Sequence, residues 1–460
     1  MSTDDEVLAA EHSTSDSGRE DPAADTSNRN PSSQAAATYS QPVISFSQNP
    51  LQLAVAQAKD ASLPSNFFRC AKWRAVKLAC EDDRLVKIFA LPPELLSYTT
   101  RHVWDPFLSL PSTPAALLGV EWYPFAASQR PETFCFVKSC RDLPVTLVDG
   151  NTGKIRASYA IIDHQERFIG PQSMAFSPDG MKLYCGFESA IECFDIAHAG
   201  NTGTRFKTSP SRKSRQGQKG LISCIALSPD QSGLMAAGSY GRSICLYDMS
   251  AGEPRLLRSL SAKEHKGAGV TQVKFHPTSP ELLYTASRCS DSILLWDVRN
   301  TKTILMTHYR KGHTNQRIHF DIDVWGKWLT TGDTDGFVHF SDTQATDSLA
   351  SAPIRSVKLA HDVISSASLH PLQPCLLTTS GSRHLKAMSS GSEAGSASES
   401  GSSAASGSSD AGVSSNEADS GSNDGIIAGA PSMYSVDNLT PRVSQEAKLS
   451  CLSVWGMSSL

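Results

Sequence analysis

Four segments of the 460-residue chain repeat one pattern, and that repetition constrains the fold more than any other feature. One copy runs from Gln172 through MAFSPDGMKLYCGFESAIECFD to Asp195. The next are LISCIALSPDQSGLMAAGSYGRSICLYD, ending at Asp248, and VTQVKFHPTSPELLYTASRCSDSILLWD, ending at Asp297. A fourth, RIHFDIDVWGKWLTTGDTDGFVHFSD, ends at Asp342. Each opens on an alternating strand, breaks at a polar turn such as Ser-Pro-Asp or His-Pro, and passes through two further strands to a terminal Asp. Such a unit cannot bury both faces by itself. Repetition at about 45–60 residues lets neighbours cover one another around a circle.

Weaker copies flank these four. Upstream stand FFRCAKWRAVKLACEDDRLVKIF, ending at Phe89, and LLGVEWYPFAASQRPETFCFVKSCRDLPVTLVD, ending at Asp149. Downstream, VISSASLHPLQPCLLTTSGSR starts a seventh copy that dissolves into a Ser/Gly tract and resumes at KLSCLSVW, ending on Trp455. The expected fold is therefore all-β: a seven-bladed WD40 β-propeller over 42–385. Residues 1–41 read as a disordered acidic, Ser-rich tail. Residues 386–447 read as a long disordered Ser/Gly-rich insertion in the last blade, and 448–457 as that blade's final strand. Its outermost strand is expected from the N-terminal side near 42–48 (PVISFSQ), which closes the ring and protects the blade edges.

Composition narrows the function. The N-terminal segment lacks the basic start and apolar stretch of a signal peptide, and no run of about 18 apolar residues marks a membrane span. The eleven cysteines are odd in number, include no C-x-x-C pair, and mostly sit in apolar strands. They read as small buried hydrophobes in a reducing compartment, with no metal site and no cofactor expected. Phosphate-binding, hydrolase and zinc-protease motifs are missing, so no enzyme is expected. The net charge of −4 conceals a division. Residues 1–62 carry nine acids and three bases, 386–447 eight acids and two bases, and the remainder 37 bases against 29 acids. A basic body between acidic segments points to a polyanionic partner.

In the fifth copy His265, Ser287, Asp291 and Trp296 hold the positions of a hydrogen-bonded tetrad that pins a blade's turns. His313 and Asp335 look like the same pair in the sixth, with Phe340 in the Trp place, and His361 in the seventh. These residues read as structural, because buried polar groups need such partners. The turn between a blade's second and third strands instead gathers arginines: Arg84, Arg141, Arg242, Arg288 and Arg383, with Glu188 and Asp335 in the other two. Arg242 in GSYGRS stands where such a repeat usually places a carboxylate, so the fourth blade is expected to lack a tetrad member. Loops feeding the same face add Arg212, Lys213, Arg215 and Lys219, then Lys263 and Lys266, then Tyr309, Arg310, Lys311 and His313. A solvated rim, an acidic protein partner and RNA all remain open. Tyr240 beside Arg242, and Tyr309 beside Arg310, offer stacking faces next to phosphate donors, which suits unpaired RNA bases. The expected base-proximal contacts are Tyr240, Arg242, Asn315, Gln316 and Arg317. Arg212, Lys213, Arg215, Lys219, Arg310 and Lys311 are the expected phosphate contacts, with Arg84, Arg141, Arg288 and Tyr309 completing the rim.

GQKGLISCIALSP (217–229), GSYGRS (238–243), TNQRIHFDID (314–323), FSPDG with CGF (176–187) and LPPEL (91–95) together resemble the telomerase Cajal body protein family, in one consistent order from about Phe67 to Leu377. The resemblance implies a non-enzymatic nuclear RNA-binding scaffold, concentrated in Cajal bodies with some cytoplasmic pool. It implies recognition of the CAB box in H/ACA-type small Cajal body RNA and in telomerase RNA. It further implies retention of those particles in Cajal bodies, support of telomerase assembly and telomere maintenance, and companionship with H/ACA core proteins such as dyskerin and with the telomerase catalytic subunit. The rival expectation is a protein-only WD40 adaptor that holds an acidic partner on the same rim.

Overall fold

The computed structural model describes residues 40–58, 66–73, 77–81, 84–92, 94–97, 100–211, 213–214, 216–250, 254–260, 267–344, 350–382 and 450–457. The expected insertion 386–447, nearly all of the tail 1–41, and the candidates Arg212, Arg215, Lys263, His265, Lys266 and Arg383 lie outside them. From Gln41 onward the described residues belong to one compact unit. Seven antiparallel sheets account for almost all of its secondary structure, and the one helical element is a single turn at Leu95–Ser97.

The first sheet is built from Phe68–Trp73, Lys77–Glu81, Val86–Phe89 and Leu108–Ser109, and the second from Leu117–Trp122, Cys135–Cys140, Val145–Asp149 and Ile155–Tyr159. The third comprises Ser173–Phe176, Lys182–Phe187, Ala190–Asp195 and Thr204–Lys207; the fourth comprises Ile222–Leu227, Leu234–Ser239, Ile244–Asp248 and Arg255–Leu260. The fifth holds Val270–Phe275, Leu282–Ser287, Ser292–Asp297 and Asn300–Tyr309, edged by Ala350–Ser351. Phe320–Ile322, Trp328–Gly332, Phe337–Asp342 and Arg355–Lys358 make the sixth. The seventh joins Ile364–Leu369, Cys375–Ser380 and Cys451–Gly456 to Leu51–Gln57, with His102–Val103 at its edge.

The strand at the start of each sheet faces the axis, and hydrogen bonds carry the chain around it. Arg69 donates to the Leu117 carbonyl, Ser139 to Pro171, Ser173 to Ile222 and Ser223 to Val270. Gln272 donates to Phe320, the His319 amide to Ser365, and Ser365 back to Phe68. The circuit returns to its origin, so the fold is a closed all-β propeller. Between sheets lie buried apolar layers, such as Trp296 and Leu283 with Ile244 and Leu246, which supply the main driving force for stacking.

The recurrent Asp ending each copy has a local task. Asp149, Asp195, Asp248, Asp297 and Asp342 each accept a backbone N–H two residues on, turning the chain out of the third strand. Asp149 also takes Arg156 Nε at 2.9 Å. Partial burial alone would raise its carboxyl, but the bonds from Arg156, Thr152 and Asn151 outweigh that and hold it at about 2.

The closing strand differs from the expectation. It is Leu51–Gln57, paired antiparallel with Cys451–Gly456, and not 42–48. Leu53, Ala54, Val55 and Ala56 are buried there, whereas 42–48 has no regular structure. The apolar residues of 42–48 are still used: Phe46 sits edge-on to Trp328 at 4.9 Å and beside Phe340. They alternate like a strand while serving as a lining, which is why the pattern misled. On the outer side, His102–Val103 pairs in parallel with Ala54–Val55, and buried Trp104 anchors this strap by donating its indole N–H to the Ala90 carbonyl.

Candidate nucleic-acid interface

In every sheet the inner strand begins where the second ends and the third starts. The second-to-third turns and the between-sheet loops therefore share one face. Six of these turns contain a residue in the left-handed region: Arg84 (φ 73°), Asp142 (56°), Ser189 (52°), Arg242 (68°), Cys289 (49°) and Gly336 (85°). The turn geometry is shared, so glycine would suit each place sterically, yet two hold arginine.

The fourth sheet does lack the carboxylate, as Arg242 at its turn predicts, and a different pin stands in for it. Gln218, fully buried in the loop before it, donates from Nε2 to the Ala237 carbonyl (2.8 Å) and the Ser243 carbonyl (3.1 Å). Its Oε1 accepts the Tyr247 hydroxyl at 3.0 Å. A Gln–Tyr pin thus does the work of the usual carboxylate, and Arg242 is left exposed at the turn.

Other structural assignments also change. Trp296 donates its indole N–H to Thr285 at 2.9 Å, diagonally across the strand pair, while His265 of the expected tetrad lies outside the described residues. Trp455 and Thr378 repeat the contact in the seventh sheet. Asp291 keeps a structural role, accepting the Gly312 amide at 2.7 Å. His313 and Asp335 do not pair: His313 is exposed, and Asp335 takes Lys311 Nζ at 2.5 Å. The buried clamp of that turn is Asp333, two residues earlier, which accepts the amides of Asp335 and Phe337 and faces His339 Nε2 at 3.0 Å. His361 is exposed; its neighbour Asp362 accepts Ser382 Oγ instead.

Three expected contacts are brought together. Tyr240, Arg288 and Arg317 come from the fourth-sheet turn, the fifth-sheet turn and the loop before the sixth sheet, yet they share one phenol. The Tyr240 hydroxyl accepts Arg288 Nη2 at 3.1 Å, Arg317 Nε at 3.1 Å and Arg317 Nη2. The Arg288 guanidinium lies 4.4 Å from the ring centroid and that of Arg317 5.5 Å. Arg317 Nη2 also reaches the Ser223 carbonyl at 3.3 Å. Asn315 Oδ1 accepts the Cys289 thiol at 3.5 Å, one residue along from Arg288. Two like charges are thus held by one neutral oxygen and one π face.

Elsewhere the expectations divide. Arg84 stays exposed with Nη1 on the Pro114 carbonyl, and Lys213, Lys219 and Tyr309 are exposed on the same rim. Arg141 lines a cleft of about 870 Å³ with Asp142, Asp163, Arg167 and Phe168. Arg310 is not a surface contact. It is buried with Nη1 on Thr331 Oγ1 at 2.6 Å, and burial pulls its guanidinium down to about 10 against the opposing pull of Asp333 and Asp291. Lys311 is engaged by Asp335, and the Gln316 amide donates to the Gly381 carbonyl at 2.9 Å, so neither stands open as expected. Sequence reasoning overlooked Gln218, Phe168, Arg69 and His319. An aromatic in a polar loop was the available signal for Phe168. The others show only in three dimensions.

A closed ring of Asp-terminated, four-stranded sheets is the architecture of the WD40-repeat propellers, and the WD domain, G-beta repeat profile matches residues 210–248. Telomerase Cajal body protein 1 of Mesocricetus auratus is 33% identical over 358 residues, 76% of this chain and 64% of that protein. The Homo sapiens protein is 34% identical over 346 residues, 74% and 61% respectively. The guanine nucleotide-binding protein negative regulator 1 of Schizosaccharomyces pombe is 30% identical over 295 residues, 61% of this chain and 72% of that protein. The chain belongs to the telomerase Cajal body protein family. It spans less than two thirds of the length of these mammalian relatives.

Proposed function

We propose that this propeller is a non-enzymatic scaffold whose arginine-bearing face binds RNA. The observation that carries the reading is the Tyr240 platform, where Arg288 and Arg317 converge from separate sheets with only neutral acceptors between them. A stacked base above the phenol and backbone phosphates on Arg242, Arg84 and Lys219 fit that arrangement. The family and the names of its members support the finer reading. The RNA is H/ACA-type small Cajal body RNA and telomerase RNA; the companions are dyskerin-type core proteins and the telomerase catalytic subunit; the location is the nucleus and its Cajal bodies. Each of the seven sheets then acts as one blade, and the ring positions the face.

A second reading, a protein-only adaptor, is favoured by the fission-yeast relative named for regulating a guanine nucleotide-binding protein. Crosslinking in cells followed by RNA sequencing separates the two. Enrichment of H/ACA-type RNA with the wild-type chain, lost with Tyr240→Ala plus Arg288→Ala, supports the scaffold. Background recovery from both refutes RNA binding and leaves the adaptor.

A further inference from the structure

Between the second and third sheets the connecting chain makes a small hairpin. Ile162 and Phe168 pair across it, and the Ile169 amide returns to the Ile161 carbonyl at 2.8 Å. Asp163 fastens its tip: one carboxylate oxygen accepts the amides of Gln165 and Arg167, and the other accepts Arg167 Nε at 3.0 Å and Nη2 at 2.9 Å. The base is packed as closely, because a Cβ on Gly170 would come within 2.1 Å of the Cys140 carbonyl oxygen. Arg205 Nη2 braces the hairpin from the third sheet through the Ile162 carbonyl at 2.7 Å. This wall is therefore fixed, yet it holds the Phe168 ring 43% exposed.

Phe168 lines the cleft of about 870 Å³ that also takes in Arg141, Asp142 and Glu166, a volume within the range of small-ligand sites. Arg167 and Asp163 answer each other there. Among the described residues Arg141, Asp142 and Glu166 make no side-chain hydrogen bond or ion pair, and all three are exposed. Asp142 (φ 56°) and Glu166 (φ 59°) both sit in left-handed backbone, which is costly for residues other than glycine. One cleft thus combines a stacking face, an uncommitted arginine fork and two uncommitted carboxylates. Leu221 lines it too, and its carbonyl accepts the Tyr240 amide at 3.0 Å, so the cleft adjoins the Tyr240 platform.

We propose that this cleft is a pocket for one unpaired guanine of the bound RNA, an inference that rests on the scaffold reading above. Guanine carries two neighbouring acceptors, O6 and N7, that match the arginine fork. Its opposite edge carries two neighbouring donors, N1–H and the N2 amino group, that match a carboxylate, and its face stacks on an aromatic ring. Adenine, cytosine and uracil lack that combination. A phosphate would meet two carboxylates, and an arginine from a protein partner would meet Arg141, so a neutral base with both edges suits the charges best.

The test uses the full chain and single-stranded uridine hexamers with one central guanine, adenine, inosine or 7-deazaguanine. Wild type should bind the guanine hexamer about tenfold more tightly than the adenine one, the discrimination of one bidentate pair. Arg141→Ala should erase the penalty for 7-deazaguanine, which lacks N7. Asp142→Asn combined with Glu166→Gln should erase the penalty for inosine, which lacks the N2 amino group. Phe168→Ala should weaken the guanine hexamer most. Equal binding of all four hexamers, still lost in Tyr240→Ala, keeps the RNA scaffold and overturns the pocket. If no RNA binds, the scaffold reading falls and guanosine monophosphate judges the cleft alone. A preference for it over adenosine monophosphate, removed by Arg141→Ala, retains a guanine site; no preference overturns it. A blocked Gly-Arg-Gly peptide that binds through Phe168 where guanine does not would overturn the pocket in favour of a protein partner.

Discussion

Replacing Gln218 by alanine tests how the fourth sheet dispenses with a carboxylate. The substitution removes two bonds from Nε2, to Ala237 and Ser243, and one accepted from the Tyr247 hydroxyl. At about 1 kcal/mol net for each, the bonds alone amount to about 3 kcal/mol. The stranded phenol adds to this, since Tyr247 is only 3% exposed and burial raises its pKa further than any partner does. A loss of about 3–4 kcal/mol is therefore expected from urea unfolding, with an unchanged denaturant slope. Tyr247→Phe removes one bond and should cost about 1 kcal/mol, and the double variant should show coupling of about 1 kcal/mol. Gln218→His should recover less than half of the loss because no carboxylate faces it. A Gln218→Ala loss under about 1 kcal/mol, or independent effects of the two substitutions, would refute the pin.

Arg242→Gly should leave the fold as stable as wild type or up to about 1 kcal/mol more stable, and Arg242→Ala less stable than Arg242→Gly, because only glycine relieves a φ of 68°. Both should weaken RNA binding and lower its salt slope by about one, measured by filter binding across a salt series. Tyr240→Phe, which strips the common acceptor from Arg288 and Arg317, should lower RNA affinity less than Tyr240→Ala, since the stacking face survives; equal losses would assign the effect to the hydroxyl. Asp149 has a folded pKa depressed to about 2, so its contribution to stability is present above the unfolded carboxylate value and is lost as pH falls from about 4 towards 2. Acid unfolding of Asp149→Asn should show a shallower slope in that window. The exposed Lys311–Asp335 pair should give a double-mutant coupling below about 1 kcal/mol.

The repeat period, the alternating strands and the Asp stops are local features, so most strands could be placed from sequence and the ring inferred. Locating 42–48 as the closing strand failed because an apolar alternation looks the same whether it pairs with a strand or lines a groove, as Phe46 does. The side of the cationic turns was legible because turn positions fix it, whereas the contact of Tyr240 with Arg288 and Arg317, in place of its neighbour Arg242, shows only in three dimensions. What each arginine does was not legible. Arg310 opens a polar loop after Tyr309 as a surface residue would, and only the fold puts Thr331, Asp333 and Asp291 around it. Gln218 carried no signal either, because a glutamine in a Gly-rich loop reads as solvent-facing until Tyr247 is seen beside it.

The way the ring is fastened has a consequence in time. Gln52 touches Ser453 across 401 positions of sequence, and the same early strand is held from outside by the His102–Val103 strap. At translation speeds of about 5–20 residues per second, Leu51–Gln57 emerges roughly 20–80 s before its antiparallel mate exists. During that interval its apolar residues and open edge must be shielded by something other than their final neighbour. Losing the last ten or so residues would therefore leave the earliest strand unmated and carry the defect to the opposite end of the polypeptide.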